Sequence, residues 1–122
     1  MLARWWPPVT WSACILVATW IPGASLPHIA APPGTDKLVH FTFFAVLGFL
    51  VFVALRPREA WRAVPAVLLA IALFGALDEY VQQFIPGREM ELFDWIADLT
   101  GAALGIALAT LALRRRAARP SA

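Results

Sequence analysis

Residues 78–98, DEYVQQFIPGREMELFDWIAD, hold six of the chain's eight acidic side chains. Asp78 and Glu79 are adjacent, Glu89, Glu91, Asp94 and Asp98 follow, and Asp36, Lys37 and His40 form an earlier polar group. Three kinds of chemistry suit such a set. Asp78 or Glu79 could serve as a general base with His40 as its acid partner. Paired carboxylates with an imidazole could hold a divalent cation and activate water. Alternatively, the acids and Gln82 could hydrogen-bond sugar or peptide while Lys37, His40 and Arg88 hold phosphate or carboxylate. HExxH, a nucleophile elbow and an established metal-ligand spacing are all missing. The expectation is therefore a binding site with no metal centre and no cofactor that the sequence identifies.

Plainer roles exist for several of these residues. Asp36 could cap a helix, and Glu91 and Asp94 could complement a helix amino terminus. Arg88 could be a rim residue paired with Glu89 or Glu91. Asp78 and Glu79 resist such readings, because they fall near a helix carboxyl end, where the dipole gives a carboxylate no help. They need a cation, a shared proton or water, as does Asp98, one turn beyond Asp94.

The elements that position these residues are set by apolar runs. The chain is 122 residues long, 61% hydrophobic and only 15% charged, too apolar for an ordinary water-soluble domain. Four runs, at about residues 9–26, 38–55, 63–85 and 92–113, are bounded by Pro, Trp and Arg. A 22-residue helix is roughly 33 Å long, enough to cross a hydrocarbon core of about 30 Å. Strand-like alternation is absent, so helices are the spanning option. The sequence predicts an all-α integral membrane bundle of four transmembrane helices, forming a single domain over residues 1–122. Pro7, Pro8 and the neighbouring tryptophans suit a retained first helix rather than a cleaved signal peptide. The single Cys14 reads as an apolar thiol without a disulfide partner.

Charge then orients the bundle. Arg4, Arg56, Arg58, Arg62, Arg114, Arg115, Arg116 and Arg119 fall on one side of this layout, against only Lys37 and Arg88 on the other. The positive-inside rule places both termini in the cytoplasm, which predicts a multi-pass protein of the inner (cytoplasmic) membrane. The basic tail sets topology and attracts anionic lipid; no nucleic-acid partner is implied. Trp5, Trp6 and Trp61 are expected at the inner interface, and Trp20 and Trp95 at the outer one. Asp36, Lys37, His40, Asp78, Glu79, Gln82, Arg88, Asp94 and Asp98 all converge on the outward end. Asp94 and Asp98 share a helix face with Gly101 and Gly105, a small-xxx-small seam that lets helices pack closely. The acids should therefore face a neighbouring helix.

The series Asp36-Lys37-x-x-His40, Asp78-Glu79-x-x-Gln82, Pro86-Gly87-Arg88, Asp94 and Gly101-x-x-x-Gly105 resembles the VanZ-like family over about residues 36–105. Asp98 stands where that family usually has Asn, and Glu91 where it usually has a small or hydroxyl residue; both add negative charge. The resemblance implies a small multi-helix membrane protein related to one linked to teicoplanin (glycopeptide) resistance. Together with the outward polar pocket, it leads to the expectation of a protein that binds a cell-envelope or lipid-linked component. The competing classes are a membrane-embedded hydrolase or transferase acting on a lipid-linked substrate, with Asp78, Glu79 and His40 as its catalytic candidates, and a purely structural polar network. An ion path is disfavoured, because no acids continue the row through the first two helices towards the cytoplasm.

Overall fold

The computed structural model describes residues 2–25, 32–56 and 60–118. Four α-helices dominate: α1 (Trp6–Thr19), α2 (Thr35–Leu55), α3 (Ala60–Gln82) and α4 (Leu92–Ala117), with short 3-10 turns at Leu2–Trp5 and Gly23–Ser25. The described residues include no strand. Three segments, Thr35–Leu55, Arg62–Gln82 and Leu92–Ala117, are long and apolar enough to cross a membrane. The 14 residues of α1 rise only about 21 Å, less than the roughly 30 Å of a hydrocarbon core.

The helices follow the four apolar runs, but their ends move for local reasons. α1 starts earlier than residue 9 because Pro7 and Pro8 occupy its first turn, where no N–H is needed. It stops at Thr19, since Pro22 has no N–H to give the Ala18 carbonyl; the expected end at residue 26 lies outside the described residues. α3 ends at Gln82 rather than residue 85. Bonds from the Phe84 N–H to Val81 O (3.0 Å) and from Ile85 to Gln82 O (2.9 Å) tighten the chain there, and Pro86 and Gly87 (φ 74°) then reverse it. α2 ends in a left-handed Arg56 (φ 46°), the residue before Pro57, where the right-handed helical region is disfavoured. α4 continues past residue 113 to Ala117, with Arg114, Arg115 and Arg116 in its last turn, where cations favour the carbonyl end. Arg58 and Arg119 lie outside the described residues, as does the side chain of Trp61.

The central packing is α4 against α2. A Cβ on Gly101 would collide with the carbonyl of Phe41, one on Gly105 with that of Ala45, and one on Gly48 with that of Ala102. Three glycines therefore let the two backbones touch. In a bilayer this matters more than burial itself, since lipid tails are as apolar as leucine and close packing must supply the attraction. Phe44, Phe52, Ile71 and Ile106 fill the remaining core, and Ile15 brings α1 into it. Trp11 pins α1 to α2 by donating to the Phe43 carbonyl (2.9 Å) while meeting the Phe43 ring edge-on at 5.7 Å. On the opposite face of α3, Leu69, Leu73 and Leu77 are each more than 60% exposed, forming an apolar stripe at four-residue spacing of the kind lipid covers.

Candidate functional site

The amino-terminal turns of α2 and α4 meet the last turns of α3, and this end of the bundle gathers the polar residues. α2 contributes Asp36, Lys37 and His40; α3 contributes Asp78, Glu79 and Gln82; α4 and the residue before it contribute Glu91, Asp94 and Asp98. His40, Asp78, Glu79, Gln82, Asp94 and Asp98 are all buried. Burying so many ionisable groups among apolar helices is costly unless each finds a partner, so their partners define the site.

Lys37 sits at the rim and answers three acids at once. Its Nζ lies 2.7 Å from Asp36 Oδ2, 2.7 Å from Glu91 Oε2 and 2.9 Å from Asp94 Oδ1. An ammonium has three N–H groups, and all are used. One turn deeper, His40 Nδ1 is 3.0 Å from Asp98 Oδ1 and 3.8 Å from Glu79 Oε1, while Nε2 is 3.9 Å from Asp94 Oδ2. The three-residue spacing of Lys37 and His40 stacks the ammonium above the imidazole on the face that meets α4.

Asp78 takes its partners from an unexpected direction. No cation among the described residues pairs with it; Oδ1 accepts hydrogen bonds from Thr19 Oγ1 and Trp20 Nε1, both 2.9 Å, at the end of α1. Gln82 Nε2 then bridges Asp78 Oδ2 and Glu79 Oε1, each at 3.3 Å, and Glu79 Oε2 accepts the backbone N–H of Glu91 at 3.0 Å. The two adjacent carboxylates, which would repel, thus share the Gln82 amide and turn their other oxygens to different donors. α1 closes one side of the cluster, a role that sequence reasoning missed. The available signal was Thr19-Trp20, a donor pair just before the helix-stopping Pro22.

Arg88 corrects the expected charge balance. Its Nε donates to the Ile21 carbonyl at 3.0 Å and its Nη2 to the Ala18 carbonyl at 3.4 Å. Ala18 is the carbonyl that Pro22 leaves without a helical partner, so Arg88 caps α1; no described carboxylate pairs with it, neither Glu89 nor Glu91 included. Trp95, in the first turn of α4, donates from Nε1 to the Ala72 carbonyl (2.9 Å) and so ties α4 to α3 beside the cluster. Gln83, four residues from Glu79, is exposed and bonds the Tyr80 carbonyl instead.

Above the cluster lies an open cavity of about 450 Å³, whose walls include Asp36, His40, Gln82, Arg88, Glu91 and Asp94. Acceptors outnumber donors there, because Lys37 is consumed and Arg88 spends part of its guanidinium on α1. Deeper in the cluster, Asp98 Oδ2 is buried with no hydrogen-bond partner. Gly75 makes room for it, since a Cβ at that position would stand 3.0 Å from the same oxygen.

Together these features define a class: an all-helical membrane protein with an ionic cluster packed into one end of its bundle. The chain belongs to the VanZ/LLP1 family, whose model matches residues 4–113. That range extends beyond the residues 36–105 that carry the sequence resemblance and takes in α1. A curated relative, the uncharacterized protein C11E3.10 of Schizosaccharomyces pombe, is 38% identical over 85 residues, which is 69% of this chain and 52% of that protein. The chain thus spans about half the length of the curated relative it matches. No solved structure matches it significantly.

Proposed function

We propose that this chain is a multi-pass protein of the cytoplasmic membrane that binds the polar headgroup of a cell-envelope or lipid-linked component in the cavity above Lys37 and His40. The observation that carries this reading is the cavity itself: about 450 Å³ of open space, walled by charged and amide groups at the end of an otherwise apolar bundle. Its acceptor-rich walls suit hydroxyl and amine groups, and Arg88, with only two of its donors engaged, leaves one place for an anionic group.

In this reading the arginine-rich ends face the cytoplasm and the cavity opens on the other side. The 3-10 turn Leu2–Trp5 runs directly into α1, and the two rise roughly 29 Å together, which supports α1 as a fourth span. An effect on glycopeptide susceptibility would act through this outward pocket.

A second reading, as a hydrolase or transferase, draws on one feature. His40 lines the cavity while Asp98 orients its ring through Nδ1, the arrangement of a general base with its orienting carboxylate.

The test is native mass spectrometry of the protein gently extracted from its own membranes. A headgroup-bearing adduct on wild type, diminished in the rim variants Asp36→Asn and Glu91→Gln, supports binding. A folded wild type that carries no adduct beyond bulk phospholipid sinks it.

A further inference from the structure

We propose that His40, Glu79 and Asp98 form a binding site for a divalent first-row cation such as Mn²⁺ or Zn²⁺. The proposal is independent of whether the cavity above takes a lipid-linked ligand.

Geometry is the first support. One ligand atom from each residue lies within 4.8 Å of the other two, and all three side chains are buried. They come from α2, α3 and α4, so the site is a convergence of helices rather than a local acidic run. An imidazole with two carboxylates is a mixed nitrogen and oxygen set, suited to borderline and hard divalent ions. His40 also lines the cavity, which gives an ion a route in and leaves positions for water or substrate oxygen.

An unmet demand is the second support, and it points to a ligand. Asp98 is 1% exposed and its Oδ2 has no partner. A buried carboxylate oxygen without a donor is expensive in a protein interior. Gly75 lets the helices close around this oxygen without a side chain against it, since a Cβ there would stand 3.0 Å away.

Charge is the third. Asp36, Asp78, Glu79, Glu91, Asp94 and Asp98 gather here, while Lys37 is the one lysine among them, His40 adds an imidazole and Arg88 is turned to α1. Lys37 already occupies the rim acids Asp36, Glu91 and Asp94, which otherwise have ligand-like spacing of their own, with one ammonium between all three. The deeper carboxylates Glu79 and Asp98 have only the imidazole of His40 as an ion-pair partner among the described residues, and a divalent ion supplies the positive charge they lack.

The experiment uses the full chain in detergent or nanodiscs, stripped with chelator and titrated separately with MnCl₂ and ZnCl₂. Expected are one ion per chain by calorimetry and elemental analysis, and for Mn²⁺ a spin-echo modulation from a single imidazole nitrogen. His40→Gln and Asp98→Asn should each weaken binding on the order of tenfold or more, while the rim variant Glu91→Gln leaves it within about twofold. The nitrogen signal is read on wild type, so the proposal stays testable even where a buried variant fails to fold. Failure of folded wild type to bind either ion stoichiometrically overturns it. So does binding that survives His40→Gln but is lost in Glu91→Gln, which would place the ion among the rim acids. Because these titrations use metal salts alone, they fail or succeed separately from the search for a lipid adduct.

Discussion

Trp20 donates from Nε1 to Asp78 Oδ1 over 2.9 Å, joining the end of α1 to the buried end of α3 across 58 residues of sequence. With Thr19 on the same oxygen, this contact lets a carboxylate sit among apolar helices without a cation. Trp20→Phe removes one donor and keeps most of the ring. It is expected to cost about 1–3 kcal/mol of stability, the penalty of an under-satisfied buried acceptor. Thermal unfolding of wild type and variant in the same detergent checks this, and an unchanged midpoint would remove α1 from the polar cluster.

Gly105 should tolerate substitution less well than a lipid-facing position on the same helix. Gly105→Ala pushes a methyl group into the backbone of α2 at Ala45, and overpacking of this kind typically costs about 1–3 kcal/mol. Leu104→Ala, at a position 44% exposed, should change stability by about 0.5 kcal/mol or less. Comparing the unfolding of the two variants tests whether the α2–α4 contact holds the bundle together.

Lys37→Met leaves Asp36, Glu91 and Asp94 facing one another without their shared cation. Lys37 and two of its partners are substantially exposed, so the loss should be near 1 kcal/mol and should shrink as salt screens the acids. Lys37→Arg should restore most of it. Unfolding midpoints at low and high ionic strength provide the reading, and a salt-independent loss would contradict the charge explanation.

Arg88→Ala removes the donors that satisfy Ala18 and Ile21. The expected result is faster hydrogen exchange confined to the end of α1 and the turn after it, with about 1 kcal/mol of stability lost. Exchange measured by mass spectrometry on the two forms would reveal it. Protection lost first around Asp94 would instead mean that Arg88 supports the acids directly.

The proposed orientation places Glu89 outside the cell and Ala117 inside. In a Cys14→Ala background, Glu89→Cys should react with a membrane-impermeant maleimide on intact cells, and Ala117→Cys only after the membrane is opened. The reverse labelling pattern would invert the topology and with it the side from which the cavity is reached.

Much of this arrangement was legible in the residues. The apolar runs predicted four helices, the proline and glycine punctuation came close to their ends, and Gly101-x-x-x-Gly105 pointed to a face that meets another helix. Reading helix ends from hydropathy fails where a backbone hydrogen bond decides them. α1 therefore stopped early at the Pro22 gap, and α4 continued through three arginines that hydropathy alone would exclude. Arg88 misled for a related reason: a lone arginine between acids suggests an ion pair, and the sequence does not display an orphaned carbonyl 70 residues earlier.

By itself, then, the sequence determined that the chain is helical and apolar enough for a membrane, and that nearly all its acids outside the arginine turns belong with Lys37 and His40 at one end, because composition and helical period act locally. Tertiary structure alone decided which donor answers which acid. Lys37 takes the rim, Thr19 and Trp20 take Asp78, and Asp98 is left with an oxygen unmatched. Such pairings depend on distances of about 3 Å between helices, and those distances are set by how closely the glycines let α4 approach α2 and by where α1 ends.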